Sequence, residues 1–193
     1  MRYLKGTKNL GLLYRTDFDT GLIGFSDSDF AADLGDRKST CGYMFKLSGA
    51  PISWKSKKQA SVALSTAEAE YVALLYATQE AVWLRRLISE LNGKSFDPTV
   101  INEDNQAAIC LANNPKDVRR TKHIELKYHY VRNFLSENVI NIAYCPTSDM
   151  VADIFTKPLS GERFVSRMGL TILKGIGLEV CCTTSTGDYV HRA

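Results

Sequence analysis

The spacing of hydrophobic positions changes several times along the chain, and each change marks an element. Residues 21–30, Gly-Leu-Ile-Gly-Phe-Ser-Asp-Ser-Asp-Phe, follow a turn-like stretch at 16–20 and form an apolar-rich run that ends in acids. That is the pattern of a central strand running into a site. Residues 41–47 alternate Tyr43, Phe45 and Leu47 with smaller or polar side chains, and Ser48-Gly49-Ala50-Pro51 breaks the run before Ile52-Ser53-Trp54. The break predicts a hairpin, giving three antiparallel strands. Residues 65–91 carry the strongest helical signal, with Ala69, Val72, Tyr76, Trp83, Leu87 and Leu91 near one stripe and Asn92-Gly93 as the stop. Pro98 opens a short strand at 99–104, and 106–113 reads as a brief helix ended by Asn114-Pro115. Ile124, Tyr128, Val131 and Leu135 predict a helix over 123–137, and 139–145 is a fifth strand. After Pro146-Thr147-Ser148, residues 149–157 have the apolar Met150, Val151, Ile154 and Phe155 of a short helix ended by Pro158. Beyond that the pattern weakens: 162–170 carries a faint helical signal, and about the last twenty residues show no period and are expected to be mobile.

The order of three strands, helix, strand, two helices, strand and helix is an α/β arrangement. At 193 residues and 21.5 kDa the chain suits one domain plus appendages. The 45% hydrophobic and 23% charged fractions are those of a soluble folded protein, and no run approaches the roughly 18 apolar residues of a membrane span. The first residues lack the apolar core of a secretory signal, so an intracellular location is expected. Five cysteines, Cys41, Cys110, Cys145, Cys181 and Cys182, include no C-x-x-C pair, which argues against a disulfide framework or a structural zinc site and leaves core packing for the first three. A net charge of +3 does not imply a nucleic-acid partner by itself. Local clusters do carry that argument: Lys55, Lys57 and Lys58 beside Trp54, Arg85 and Arg86, and Arg119, Arg120, Lys122 and His123.

Four acids sit on different elements: Asp27 on the first strand, Glu70 in the first turns of the long helix, Asp104 ending the fourth strand and Asp153 in the last short helix. Hard cations prefer oxygen ligands, and a two-ion phosphodiester hydrolase needs several carboxylates brought together from separate elements. Each acid has a structural alternative. Asp29 shares the strand face of Asp27 and is assigned a solvated or supporting role. Ser65-Thr66-Ala67-Glu68 is a capping box, in which Glu68 reaches back to the Ser65 N–H, leaving Glu70 free. Glu103 should face the opposite side of the sheet from Asp104, so that only one of them joins Asp27. Asp104 could equally cap the following helix, Asp153 could be an exposed surface acid, and Asp149 suits the helix dipole. His123 and His129, six residues apart, fall on opposed helix faces, and His191 is in the tail, so the histidines form no metal set.

Seven segments occur in one order: Gly24-Phe-Ser-Asp-Ser-Asp-Phe, Asp36-Arg-Lys-Ser-Thr-Cys-Gly-Tyr, Pro51-Ile-Ser-Trp-Lys-Ser-Lys-Lys-Gln, Ser65-Thr-Ala-Glu-Ala-Glu-Tyr, Asp104-Asn-Gln-Ala-Ala-Ile, Arg120-Thr-Lys-His-Ile and Ala152-Asp-Ile-Phe-Thr-Lys-Pro-Leu. Together they closely resemble the ribonuclease H domain of copia-type retrotransposon Pol polyproteins, over about residues 1–160. The resemblance implies a ribonuclease H-like α/β fold, a five-stranded mixed sheet with flanking helices. It also implies four acids, Asp27, Glu70, Asp104 and Asp153, holding two Mg²⁺ or Mn²⁺ ions. The activity implied is hydrolysis of the RNA strand of an RNA–DNA hybrid, recognised by duplex shape and 2′-hydroxyls, with the reverse-transcriptase portion of Pol as partner and a cytoplasmic, virus-like-particle setting. Residues 1–18 then look like the end of the reverse-transcriptase connection, 19–160 the ribonuclease H-like domain and 161–193 an atypical, partly mobile tail. Two departures from cellular relatives stand out: the 145–149 loop has no His, and 113–122 is too short for a basic handle helix, so the isolated domain should bind hybrid weakly. Two other readings are a non-catalytic binding or scaffold fragment of Pol, and a strand transferase of related fold, whose acid set normally lacks a Glu at the position of Glu70.

Overall fold

A computed structural model of the 193-residue chain describes residues 5, 10–12, 14, 21–93, 97–114, 122–170 and 173–175. Strand β1 is Leu10–Leu12, followed by β2 (Ile23–Ser28), β3 (Thr40–Leu47) and β4 (Ala50–Lys58). Helix α1 (Thr66–Asn92) leads to β5 (Thr99–Glu103), α2 (Gln106–Asn113), α3 (Lys122–Ser136) and β6 (Ile140–Tyr144). Two 3₁₀ segments, Thr147–Asp149 and Val151–Phe155, precede α4 (Gly161–Leu170) and β7 (Leu173–Gly175). The main sheet has the order β4-β3-β2-β5-β6. Strands β2, β3 and β4 are antiparallel, β3 and β4 through the two-residue turn Ser48-Gly49 and β2 and β3 through the longer loop 29–39, whereas β5 and β6 join in parallel after helical crossovers. Strands β1 and β7 pair separately.

Helix α1 lies against the sheet because its face of Tyr71, Leu74, Leu84 and Ile88 packs with Phe45 of β3, Ile101 of β5 and Ile140 of β6. Helix α3 covers its other side: the Tyr71 and Tyr128 rings lie 4.2 Å apart and the Tyr71 hydroxyl donates to the Tyr128 carbonyl. Sandwiched in this way, α1 is buried nearly all round from Ala69 to Thr78 and emerges only later, where Trp83, Leu87 and Leu91 are exposed. The expected stripe thus holds at Ala69 and Val72 and fails at its C-terminal half, where the inward face is Ala77, Ala81, Leu84 and Ile88.

Local chemistry sets the helix ends. Ser65 Oγ accepts from the Glu68 N–H, as a capping box requires, but the Glu68 carboxylate reaches the N–H of Leu64 at 2.8 Å rather than that of Ser65. Gly93 closes α1 at φ 62°, a left-handed conformation that suits glycine. The helix expected over 149–157 is instead a 3₁₀ segment of five residues, because Met150 is extended and Pro146 and Pro158 bracket too short a stretch for continuous α-turns. Cys41 and Cys145 are buried as expected, but Cys110 is exposed. No helix among the described residues is long and apolar enough to cross a membrane.

Candidate active site

The C-terminal ends of the parallel strands β2 and β5 converge beside the N-terminus of α1, and the acids collect there. Asp27 stands in register with Gly42 on β3 and is fully buried. A Cβ on Gly42 would lie 2.7 Å from Thr156 Cγ2 and 2.8 Å from Phe155 Cβ, so only glycine lets the Val151–Phe155 segment settle on the sheet. Ser56 of β4 pins the same segment by donating to the Phe155 carbonyl at 2.7 Å. Through this contact Thr156 and Lys157 reach Asp27: the Thr156 hydroxyl donates to Oδ2, and Lys157 Nζ lies 2.9 Å from Oδ1.

Glu70 is placed from the other side of the sheet. The buried Gln59 amide donates to the Ala69 carbonyl at 2.9 Å and to Ser28 Oγ at 3.2 Å, tying the start of α1 to the residue after Asp27. Asp104 lies just past β5, and it is Asn105 that caps α2, accepting from the Ala108 N–H at 3.0 Å. Asp104 is therefore free of capping and accepts instead from Thr147 Oγ1 at 2.7 Å. One carboxylate oxygen each from Asp27, Glu70 and Asp104 lies within 4.8 Å of the others. Asp153 is joined to this group through Lys157, whose Nζ is 2.7 Å from its Oδ1, while Arg167 Nη2 approaches its Oδ2 at 3.2 Å. Asp29 is held apart by accepting the Thr40 N–H at 2.8 Å.

The electrostatics divide the acids. Burial, then Glu103, Asp27 and Asp104, push Glu70 up to about 11, with only Lys157 opposing. Burial also raises Asp27, but Lys157 and the Thr156 hydroxyl hold it to about 6. Burial alone would lower Lys157; its contacts with Asp27 and Asp153 more than offset this and leave it raised. Glu103 is fully buried and pushed well above the ordinary carboxylate range, chiefly by burial. Glu70 Oε2 and Glu103 Oε2 are buried with no hydrogen-bond partner. An all-oxygen donor set with an orphaned oxygen and uncompensated charge fits a hard divalent cation, which would relieve both.

No family model matches the chain. It is 39% identical over 174 residues to the retrovirus-related Pol polyprotein from transposon RE1 of Arabidopsis thaliana, an alignment covering 89% of this chain. It is 40% identical over 164 residues, 85% of the chain, to that from transposon TNT 1-94 of Nicotiana tabacum. The chain belongs to the copia-type retrovirus-related Pol polyproteins. It spans 12% of the length of each of these two relatives. Among solved structures, LC11-RNase H1 in complex with an RNA/DNA hybrid is similar with a TM-score of 0.52 at 13% identity, over 70% of this chain and 94% of that one. The foamy viral protease-reverse transcriptase in complex with an RNA/DNA hybrid matches with a TM-score of 0.52 at 15% identity, over 72% of this chain and 20% of that one. The Pol segment has the ribonuclease H fold, with the five-stranded mixed sheet that the sequence implies.

The seven basic residues singled out for nucleic acid have different surroundings. Lys55 and Lys57 are exposed on edge strand β4, and Lys57 Nζ lies 5.2 Å from the Tyr76 ring centroid. Ser56 between them shares a sheet row with Gly42 and Asp27, two strand spacings or about 10 Å away. Lys58 is engaged by the loop after β2, 2.9 Å from Asp36 Oδ1 and also paired with Asp33. Arg119 and Arg120 lie outside the described residues, as do the side chains of Lys122 and His123.

Sequence reasoning missed Glu103, Lys157, Thr147 and Arg167 in this Pol segment. Glu103 does join the cluster, because Asp104 lies beyond the strand end, where period-two alternation no longer separates neighbours. Lys157 had a local signal, its i,i+4 spacing from Asp153. Arg167 had none.

Proposed function

We propose that this Pol segment is a metal-dependent endoribonuclease that hydrolyses the RNA strand of RNA–DNA hybrids, working with the reverse-transcriptase portion of its polyprotein. The observation that carries the reading is the meeting of one oxygen each from Asp27, Glu70 and Asp104 within 4.8 Å of one another, at a glutamate whose Oε2 is buried without a partner. The four acids would hold two Mg²⁺ or Mn²⁺ ions, which when bound supply an activated water and stabilise the leaving 3′ oxygen. The chain's own residues do the positioning. Gly42 admits the segment that carries Asp153, Gln59 fixes α1 against β2, and Thr147 orients Asp104. Lys55 and Lys57 alternate to the α1 face of edge strand β4, with Ser56 between them in the row of Asp27, and are placed at that edge to take backbone phosphates of the duplex. With few such contacts, the isolated segment binds hybrid weakly and relies on the reverse transcriptase to hold it. The reaction belongs to reverse transcription, in the cytoplasm within a virus-like particle.

The test is incubation of the chain with labelled hybrid in Mg²⁺ and in Mn²⁺, beside Asp104→Asn. Metal-dependent cutting of the RNA strand alone, absent in the variant, is expected. A folded protein that cuts in neither metal would instead be a binding or scaffold fragment, and strand transfer into duplex DNA would make it a transferase.

A further inference from the structure

Helix α4 follows the last segment expected to carry a site acid, yet what it buries is a charge. Among its described side chains Gly161, Glu162, Arg163, Val165 and Ser166 are exposed and Phe164 is half-buried, while Arg167 is only 8% exposed. Taking a guanidinium out of water costs several kcal/mol unless its contacts offset the loss. Nη2 of Arg167 donates to the Thr147 carbonyl and lies 3.2 Å from Asp153 Oδ2; its Nε is buried without a partner. Thr147, held at its carbonyl, turns its hydroxyl to Asp104 Oδ2 at 2.7 Å. One side chain thus links two acids that reach the site from different elements, 49 residues apart in sequence.

We propose that Arg167 is a positioning residue that sets Asp153 directly and Asp104 through Thr147, making α4 a working part of the site. The proposal rests on the reading of the acids as a divalent-cation site. It assigns a purpose to the 145–149 loop, which lacks the histidine of cellular relatives: Thr147 orients Asp104 while being oriented from α4. Arginine suits the task because Nη2 serves the carbonyl and the carboxylate together with N–H directions fixed in the guanidinium plane, whereas lysine offers a freely rotating point charge.

The experiment measures Mn²⁺ binding by electron paramagnetic resonance, and RNA cleavage, for the full chain and for Arg167→Met, Arg167→Lys and Thr147→Val, at a temperature where circular dichroism shows each folded. Arg167→Met is expected to weaken Mn²⁺ binding by about ten- to a hundredfold, the usual cost of losing a residue that orients metal ligands. In cleavage the loss falls on kcat, with KM for hybrid nearly unchanged. Arg167→Lys recovers part of the affinity, and Thr147→Val, which breaks only the Asp104 link, gives a smaller loss. A folded Arg167→Met that melts earlier but binds Mn²⁺ like the parent would overturn the proposal and leave Arg167 a structural residue. If Arg167→Met does not fold, Thr147→Val decides: unchanged Mn²⁺ affinity overturns the relay. Failure of the parent chain itself to bind Mn²⁺ would instead sink the cation-site reading on which the proposal stands.

Discussion

Two sides of one acidic site behave oppositely. On the Asp27–Asp153 side, Lys157 bridges the two carboxylates, and Arg167 and the Thr156 hydroxyl take the remaining oxygens. On the Glu70–Glu103–Asp104 side, no ion pair is made among the described residues, and two buried carboxylate oxygens lack any partner. Burial is similar for Asp27 and Glu70, yet Asp27 rises only to about 6 and Glu70 to about 11. The difference lies in the neighbours: Glu103, Asp27 and Asp104 add to burial at Glu70, whereas Lys157 and Thr156 oppose it at Asp27. A compensated pair is held in place by the chain's own cations before any ion arrives, whereas an uncompensated group of acids waits for charge from outside.

Neutralising one acid on each side should give opposite results, and this is the largest contrast expected. Glu70→Gln should reduce RNA cleavage to background while raising the melting temperature in EDTA, because glutamine is neutral without the proton that Glu70, pushed up to about 11, must take up to be buried. Asp153→Asn should also abolish cleavage but lower stability in EDTA by about 2 kcal/mol, since Lys157 and Arg167 lose a charged partner. Thermal melts of both variants without metal check the signs; a matching shift in the two would erase the distinction.

Gly42→Ala tests whether the compensated side depends on close packing. The added methyl meets Thr156 and Phe155, and overpacking of this kind costs about 1–3 kcal/mol. Denaturant unfolding measures the loss, and cleavage should fall with it because Asp153 and Lys157 move away from Asp27.

Both sides should give the metal-free protein an unusual pH dependence, the uncompensated side the larger share of it. Glu70 and Asp27 have folded values above their ordinary 4.5 and 3.8, so the folded state binds more protons than the unfolded state at intermediate pH. Stability contributed by the protonated forms is complete below about pH 4 and is lost as pH rises, through about 6 for Asp27 and on toward 11 for Glu70. Melting in EDTA should therefore come earlier at pH 8 than at pH 5, apart from general acid effects, and Mg²⁺ should restore the pH 8 value. Melts that are insensitive to both pH and Mg²⁺ would count against an uncompensated site. The smallest effect belongs to Lys157→Met, about 0.5–1 kcal/mol in EDTA because the lysine is 35% exposed, and calorimetry should find less than that in saturating Mn²⁺.

The part of the site legible in the sequence was the part carried by local pattern. Asp27 followed from an apolar run ending in acids, and Glu70 from a capping box that used Glu68 elsewhere. Asp104 was balanced between ligand and cap until the structure gave the cap to Asn105. The sheet was legible because its hairpin and strand breaks are marked by Gly, Pro and Asn. What escaped depends on approach between distant segments. Glu103 turns inward at a strand end, Lys157 meets Asp27 across 130 residues, and Arg167 comes from a helix with too faint a period to suggest that it docks. The C-terminal half of α1 was misread for a related reason: its apolar Trp83, Leu87 and Leu91 imitate a core stripe, while the buried face there uses alanines.

The central claim is that the side without cations of its own is where a divalent ion binds. Titration of Mn²⁺ into the full chain and into Glu70→Gln at pH 7.5, followed by electron paramagnetic resonance, tests it most directly. The expected result is a bound Mn²⁺ in the parent whose affinity falls by about a hundredfold or more in the variant, as loss of one charged ligand in a small oxygen cage implies. Equal Mn²⁺ binding by both proteins would contradict the claim.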